Sequence, residues 1–293
     1  MRPYRISETE VIVMAGTLYL VPTPIGNLGD ISRRAAETLA QADFIAAEDT
    51  RVSLKLLNHL GLKKPLVSYY RHNTDTAGPA ILNRILAGES CALVTDAGTP
   101  AISDPGEDLV ALCARSGVEV ISLPGPCALV TALAVSGLPT GRFTFEGFLP
   151  TNKKNRRAQL EQLRSEERTM IFYEAPHKLR ATLGDLRETF GSERRVTLCR
   201  ELTKLHEEIL RTTLGGAAEH YAETEPKGEF VLVVEGASPA QPEAVTPEAA
   251  LRRVEELRFQ GLSLKAAAKQ AAEELSLPKN KLYDLALGKE TAW

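Results

Sequence analysis

Cysteine is scarce in this 293-residue chain, with only Cys91, Cys113, Cys127 and Cys199, and no two of them form a C-x-x-C pair. That argues against a disulfide framework, a zinc ribbon or a redox dithiol. The four read as reduced core residues of a cytoplasmic protein. Long apolar runs are missing too. The longest, Cys127 to Leu138, is broken by Thr131, Ser136 and Gly137 and is shorter than the roughly 18 to 20 residues a bilayer requires, so it reads as a buried helix. Residues 1–16 carry Arg2, Arg5, Glu8 and Glu10 and are expected to form a short leader without the pattern of a targeting peptide. Excess charge of either sign is absent: 35 Lys and Arg against 38 Asp and Glu give a net charge of −3. A nucleic-acid partner would therefore have to be met by a local basic patch.

The usual signatures of nucleotide, serine and metal chemistry are also missing. There is no G-x-x-x-x-G-K-[ST] loop, no G-x-G-x-x-G fingerprint and no G-x-S-x-G elbow, and His206-Glu207-Glu208 lacks a histidine at 210, so no metal site is expected. What the chain does have is an alternation of short apolar runs with amphipathic helical patterns. Strands are expected at Thr17–Val21, Phe44–Ala47, Leu66–Tyr70, the run ending at Thr95, and Val118–Ser122, each followed by a helix. That pattern implies a largely parallel α/β sheet covered on both faces.

Polar loops gather at the carboxyl ends of these strands: Pro22 to Asn27, Glu48 to Arg51, Asp96 to Asp104, and Pro124 to Cys127. That edge is where open α/β sheets bind ligands. Beyond Gly141 further strands at Thr169–Tyr173, Arg195–Cys199 and Glu229–Val234, with a helix at His177–Phe190, predict a second α/β unit. The expected division is a first domain over 17–125, a second over 126–238, a Pro-rich linker over 239–247 and a helical tail over 248–293. Ser263 is placed to cap a tail helix, and Pro278 to start another, an arrangement that suits either a helix-turn-helix or a packing cap.

Lys153, Lys154, Arg156 and Arg157 form the densest basic cluster, suited to phosphate contact or to a solvated helix face. Tyr69, Tyr70, His72 and Phe148 are candidates to stack an unpaired base, with two or three of the four expected in the core.

Several long motifs, in order, resemble one family. They are Val21-Pro-Thr-Pro-Ile-Gly-Asn-Leu-Gly-Asp30, Ala47-Glu-Asp-Thr-Arg51, Val94-Thr-Asp-Ala-Gly-Thr-Pro-Ala-Ile-Ser-Asp-Pro-Gly106, Pro124-Gly-Pro126, Phe172-Tyr-Glu-Ala-Pro-His177 and Cys199-Arg-Glu-Leu-Thr-Lys204. Together they look like the ribosomal RNA small-subunit methyltransferase I family, of the tetrapyrrole-methylase fold. The resemblance implies two α/β domains with S-adenosylmethionine in the cleft between them, a homodimer, and 2′-O-methylation of a cytidine ribose in the decoding region of 16S rRNA. It places the cofactor against Pro22, against Asp96, Gly98, Thr99 and Ile102 of the central loop, and against Cys127 and Ala128. In the second domain it places the cofactor against Tyr173, Glu201, Leu202 and Glu229. Thr95 and Ala97 stand where the fold's Gly-Asp-Pro loop has glycine and proline, so the carboxylate is kept while the loop changes.

Methyl transfer from a sulfonium needs no metal, only a nucleophile held in line. A base for the ribose hydroxyl is sought among Glu48, Asp49, Glu146, Glu174 and Glu201. Arg51, Glu174 and Lys204 are the first candidates for a catalytic role, and Tyr70 and His72, with the basic cluster, for RNA binding. Two alternatives stand beside this reading: a methyltransferase acting on a porphyrin or corrin precursor, and a non-catalytic RNA-binding assembly protein.

Overall fold

The structure is a computed structural model that describes residues 16–238, 246–275 and 277–288. Its first lobe holds β1 (Thr17–Leu20), β2 (Phe44–Ala47), β3 (Leu66–Ser68), β4 (Cys91–Val94) and β5 (Glu119–Ser122), in the order β3-β2-β4-β1-β5. Every pairing is parallel. β1, β2 and β4 are buried along their whole length, which is why they read as unbroken apolar runs. Successive side chains serve opposite faces: Leu18 and Leu20 join one core with Phe44 and Ile81, while Tyr19 and Val21 join another with Leu39 and Leu57. The covering helices are α1 (Arg33–Gln41), α2 (Thr50–His59), α3 (Thr74–Leu86) and α4 (Gly106–Arg115). Chain order reverses between β4 and β1, so the loops following these two strands flank a crevice.

Helix α5 (Ala128–Ser136) leaves the first lobe and packs on the sheet of the second. This explains its nearly uniform apolarity: Leu129, Ala132 and Leu133 lie against Ile171, Cys199 and Val233, and the Thr197 hydroxyl donates to the Ser136 carbonyl at 2.8 Å. The second sheet contains β6 (Phe143–Phe148), β7 (Thr169–Glu174), β8 (Arg195–Arg200), β9 (Glu208–Thr213) and β10 (Phe230–Val234), in the order β6-β7-β10-β8-β9. Here only β6 and β7 run parallel, and the other pairs are antiparallel, so this sheet is mixed. Helices α6 (Lys153–Gln162), α7 (Pro176–Phe190) and α8 (Leu214–Glu223) cover its other face.

Strand β9 and helix α8 had no sequence signal. β9 is an edge strand, half-buried except at the exposed Arg211, and the first turn of α8 contains Gly215 and Gly216, both poor helix formers.

Among the described residues, those up to Ala237 form one compact unit and those from Ser238 onward another. The second contains α9 (Pro247–Phe259), α10 (Leu264–Glu274) and α11 (Lys279–Ala286) around Val254, Leu257, Ala268, Ala271 and Leu282. Thr246 and Ser263 cap α9 and α10 through their hydroxyls. Thr246 and Pro247, assigned to the linker, therefore belong to a helix start, where Ser or Thr as cap and Pro in the first turn are both favoured. Residues 239–245 of the expected linker and 1–15 of the expected leader lie outside the described residues, as do 276 and 289–293 of the tail.

Candidate functional site

The carboxyl edge of the first sheet is built from loops that brace one another. After β1, Thr23 exchanges two backbone hydrogen bonds with Gly98 of the β4 loop (2.9 and 3.0 Å), and its hydroxyl donates to the Thr95 carbonyl at 3.1 Å. The Thr99 hydroxyl donates to the Pro126 carbonyl at 2.9 Å, adding the loop after β5. A Cβ on Gly125 would come within 2.5 Å of Pro22 Cβ, so glycine there allows the first and fifth loops to touch.

The β4 loop then turns on Asp104. Its Oδ1 accepts the Ala101 and Gly106 N–H groups at 3.0 and 2.7 Å, and Ala101 and Ser103 sit at φ 66° and 68°. Left-handed backbone at two non-glycine residues is strained and is held by the surrounding bonds. Asp104 Oδ2 is buried with no hydrogen-bond partner among the described residues. Burial raises the Asp104 carboxyl above the ordinary range of an aspartate. Asp96 is raised as well, first by burial and then by the negative charge of Glu48.

The second lobe presents the ends of β7, β8 and β10. The Tyr173 hydroxyl accepts the Leu129 N–H at 3.1 Å, and burial pushes that phenol up to about 12, so it remains a neutral donor. Lys204 Nζ bridges Glu201 and Glu229 at 2.8 and 2.9 Å. Burial alone would raise Glu201, but the hydrogen bonds from Lys204 and the Glu229 N–H outweigh it and hold the carboxyl low. The same two carboxylates overcome the burial of Lys204 and hold its ammonium above the usual lysine range. Glu201 and Thr203 are again left-handed, at φ 52° and 66°. A Cβ on Gly26 would meet Lys204 Cγ at 2.4 Å and the Leu202 carbonyl at 3.0 Å, so the two lobes close on each other at that glycine.

Between these walls lies a cavity of about 530 Å³, within the usual size of a small-molecule site. Asp96, Gly98, Thr99 and Ile102 line one side of it, with Cys127 and Ala128 at the root of α5. Tyr173, Glu174, Glu201, Leu202, Lys204 and Glu229 line the other side. Pro22 stands behind this surface against Gly125, where it fixes the loop without lining the cavity. Arg51 is also outside: its exposed guanidinium is held by Asp49 at 2.6 Å, and that pairing lowers Asp49 to about 2. Glu174 is buried, accepting the Thr182 hydroxyl at 2.5 Å and the Ala175 N–H at 2.9 Å. Glu146 lies away from the cavity, on β6.

Glu48, Asp104 and Phe148 also line the cavity. Asp104 has no assigned role among the sequence motifs, although its Ser-Asp-Pro-Gly run ahead of a helix marks a built turn.

The basic cluster divides. Lys153 and Lys154 are exposed in the first turn of α6. Arg156 is a correction: it is buried, and its guanidinium pairs with Asp185 of α7 at 2.7 Å, which ties the two helices together. Arg157, half-exposed, joins the same carboxylate at 2.9 Å and also pairs with Glu188. Tyr70 and His72 are exposed and lie edge to face, 6.4 Å apart. Of the four rings considered for stacking, only Tyr69 is buried, Phe148 being 55% exposed.

Among the described residues no group of three or more His, Cys, Asp or Glu is arranged to hold a metal, and no helix is long and apolar enough to cross a membrane.

Two α/β lobes around a cleft at the switch point define a tetrapyrrole (corrin/porphyrin) methylase, and the family model of that description matches residues 17–218. A solved uroporphyrin-III C-methyltransferase from Thermus thermophilus, complexed with S-adenosylhomocysteine, shares the fold at a TM-score of 0.54 and 18% identity, covering 74% of this chain and 96% of that one. Within that class the chain belongs to the ribosomal RNA small subunit methyltransferase I family. It is 50% identical to the Synechocystis member, over 93% of this chain and 98% of that protein. It is 49% identical to the Halalkalibacterium halodurans member, over 92% and 94%. Residues 245–290 match a model described as the RsmI C-terminal HTH domain.

Proposed function

We propose that this protein, acting in the cytoplasm as a homodimer, transfers a methyl group from S-adenosylmethionine to the 2′-oxygen of a cytidine in the decoding region of 16S rRNA, on the RNA or on the small subunit. The observation that carries the reading is the charge of the cleft. Glu48, Asp96, Asp104, Glu174, Glu201 and Glu229 line it, with Lys204 as the single cationic side chain among the lining residues. Such a cavity favours a cationic ligand, and Asp104 Oδ2, buried and without a partner among the described residues, is a free acceptor of the kind an ammonium would satisfy. The donor set therefore fits the cofactor.

When bound, S-adenosylmethionine supplies a methyl group on a sulfonium whose leaving group is a neutral thioether. The protein's share is to bind, to orient and to accept a proton. Asp96 and Asp104 hold positive charge at the first lobe, the Tyr173 ring walls the second, and Ile102 and Phe148 exclude water at the mouth. Positioning of this kind is worth about 7–11 kcal/mol, against a ~10²–10⁴-fold contribution from a general base. Of the five carboxyls considered as bases, Asp49 is committed to Arg51, Glu201 to Lys204, and Glu146 is outside the cleft. Glu48 and Glu174 remain on the wall, joined by Asp96, whose raised carboxyl is more basic than an ordinary aspartate. Lys204, held protonated by two carboxylates, braces the wall and does not serve as a base.

The names of the curated relatives support rRNA over a tetrapyrrole as substrate. Exposed Lys153 and Lys154 also suit a polyanion. The test is to incubate small subunits lacking the modification with labelled S-adenosylmethionine. Label in ribose supports the reading, label accepted only by a tetrapyrrole would favour the other enzyme, and RNA binding without transfer would favour the assembly protein.

A further inference from the structure

A second cavity, of about 180 Å³, lies between the β1 loop and the first turns of α2. It shares Thr95 and Asp96 with the main cleft. Gly26, another of its lining residues, is the glycine packed against Lys204 of that cleft. The two cavities are thus separated by a thin partition, with Asp96 exposed on it. The walls of the smaller one are largely apolar, with Thr23, Ser53 and Thr95 as polar members. Pro24 and Leu28 face it from the loop and Val52 and Leu56 from the helix, and Leu28 and Val52 are 46% and 37% exposed, open to a ligand. At its rim Lys55 is exposed and makes no ion pair among the described residues, and Arg51, one turn earlier on α2, is on the same face.

A small, largely apolar cavity with a cationic rim, sharing a wall with the proposed methyl-donor cleft, has the chemistry of a site for an unstacked nucleobase whose phosphates stay outside.

Resting on the ribose-methylation reading, we propose that this cavity receives the base of the target nucleotide, held between Leu28 and Val52. The ribose then lies over the partition, beside Asp96, and Lys55 meets the flanking phosphate. Docking the base on one side and the donor on the other would set the angle between hydroxyl and methyl group that in-line displacement requires.

The test uses the full chain with Val52→Trp and, separately, Leu28→Trp. Both are surface positions where the indole fills the slot. Donor binding is measured by calorimetry, and labelled methyl transfer is measured on small subunits lacking the modification. The expected result is donor affinity within about twofold of the parent in both variants, with kcat/KM for the subunit lowered about tenfold or more, the scale of losing one base-stacking contact. Val52→Ala, which opens the slot, should cost less than either Trp variant. Unchanged kcat/KM in both Trp variants would overturn the base site while leaving the methyltransferase reading intact. Loss of donor binding in both would also overturn it, since the cavities would then not be separate subsites. A parent protein that binds donor and transfers nothing to ribose would overturn both readings together.

Discussion

The two oxygens of Asp104 differ: Oδ1 shapes the strained turn, and Oδ2 has no hydrogen-bond partner among the described residues, the free acceptor proposed to meet the donor. Asp104→Asn keeps the acceptor for the turn and removes the charge. A charge-assisted hydrogen bond is worth about 1.5–3 kcal/mol, so calorimetry should find S-adenosylmethionine bound about 10- to 150-fold more weakly. Stability without ligand should move the other way. Burial raises this carboxyl in the folded state above its unfolded value of 3.8, so the folded protein holds the proton more tightly and ionisation costs stability above the folded pKa. The Asn variant, read by denaturant melts at neutral pH, should therefore be as stable as the parent or more so. Asp96 is raised in the same direction. Donor affinity should accordingly begin to fall, on acidification, at a pH above that of ordinary aspartates, and titration calorimetry across pH 4 to 7 would detect it. A profile flat throughout that range would contradict the electrostatic role of both groups.

Arg156 shows why one residue cannot be read without its element. In sequence it stands in a run of four cations, but the helical period of α6 turns Lys153 and Lys154 to solvent and Arg156 toward α7. The position of Asp185, 29 residues away, is not visible from the run itself. Removing one partner of a buried pair typically costs 3–5 kcal/mol, so Arg156→Ala should lower stability by about that much and leave the salt dependence of RNA binding unchanged. Lys153→Ala with Lys154→Ala should do the reverse, weakening RNA binding and reducing the slope of log K against log salt by about 0.7 per lysine for single-stranded RNA.

Burial tends to raise Asp185, yet its bonds to Arg156 and Arg157 prevail and hold it below 3.8. A depressed carboxyl stabilises the fold above its unfolded pKa. That contribution fades as pH falls through the folded value, so α6–α7 packing should weaken in strong acid. Elements with a clear period or an unbroken buried run, such as β1, β2, β4 and α5, were legible from sequence. β9 and α8 were not, because an edge strand and a Gly-Gly helix start carry their order in tertiary contacts.

At the scale of the whole molecule, parallel topology carries the β1 and β4 loops to one edge, and the crossing of α5 onto the second sheet brings Tyr173, Glu201 and Glu229 opposite them. Motif order gave the members of this cleft, since the residues assigned to it from the central loop and the second lobe do line it. It did not give their tasks. Pro22 proved to be a brace behind Gly125 and Arg51 a partner of Asp49, because both distinctions depend on contacts between loops. Gly125→Ala, which would put a Cβ 2.5 Å from Pro22 Cβ, should disturb the first wall and weaken donor binding in calorimetry while the second sheet keeps its melting behaviour.

The proposed ribose methylation is decided by giving the purified protein labelled S-adenosylmethionine and small ribosomal subunits lacking the modification, then digesting the RNA to nucleosides and identifying the labelled product. The expected labelled nucleoside is 2′-O-methylcytidine, with the label strongly reduced by Asp104→Asn. Label on a base, or no label despite measurable donor binding, would contradict the proposed methylation.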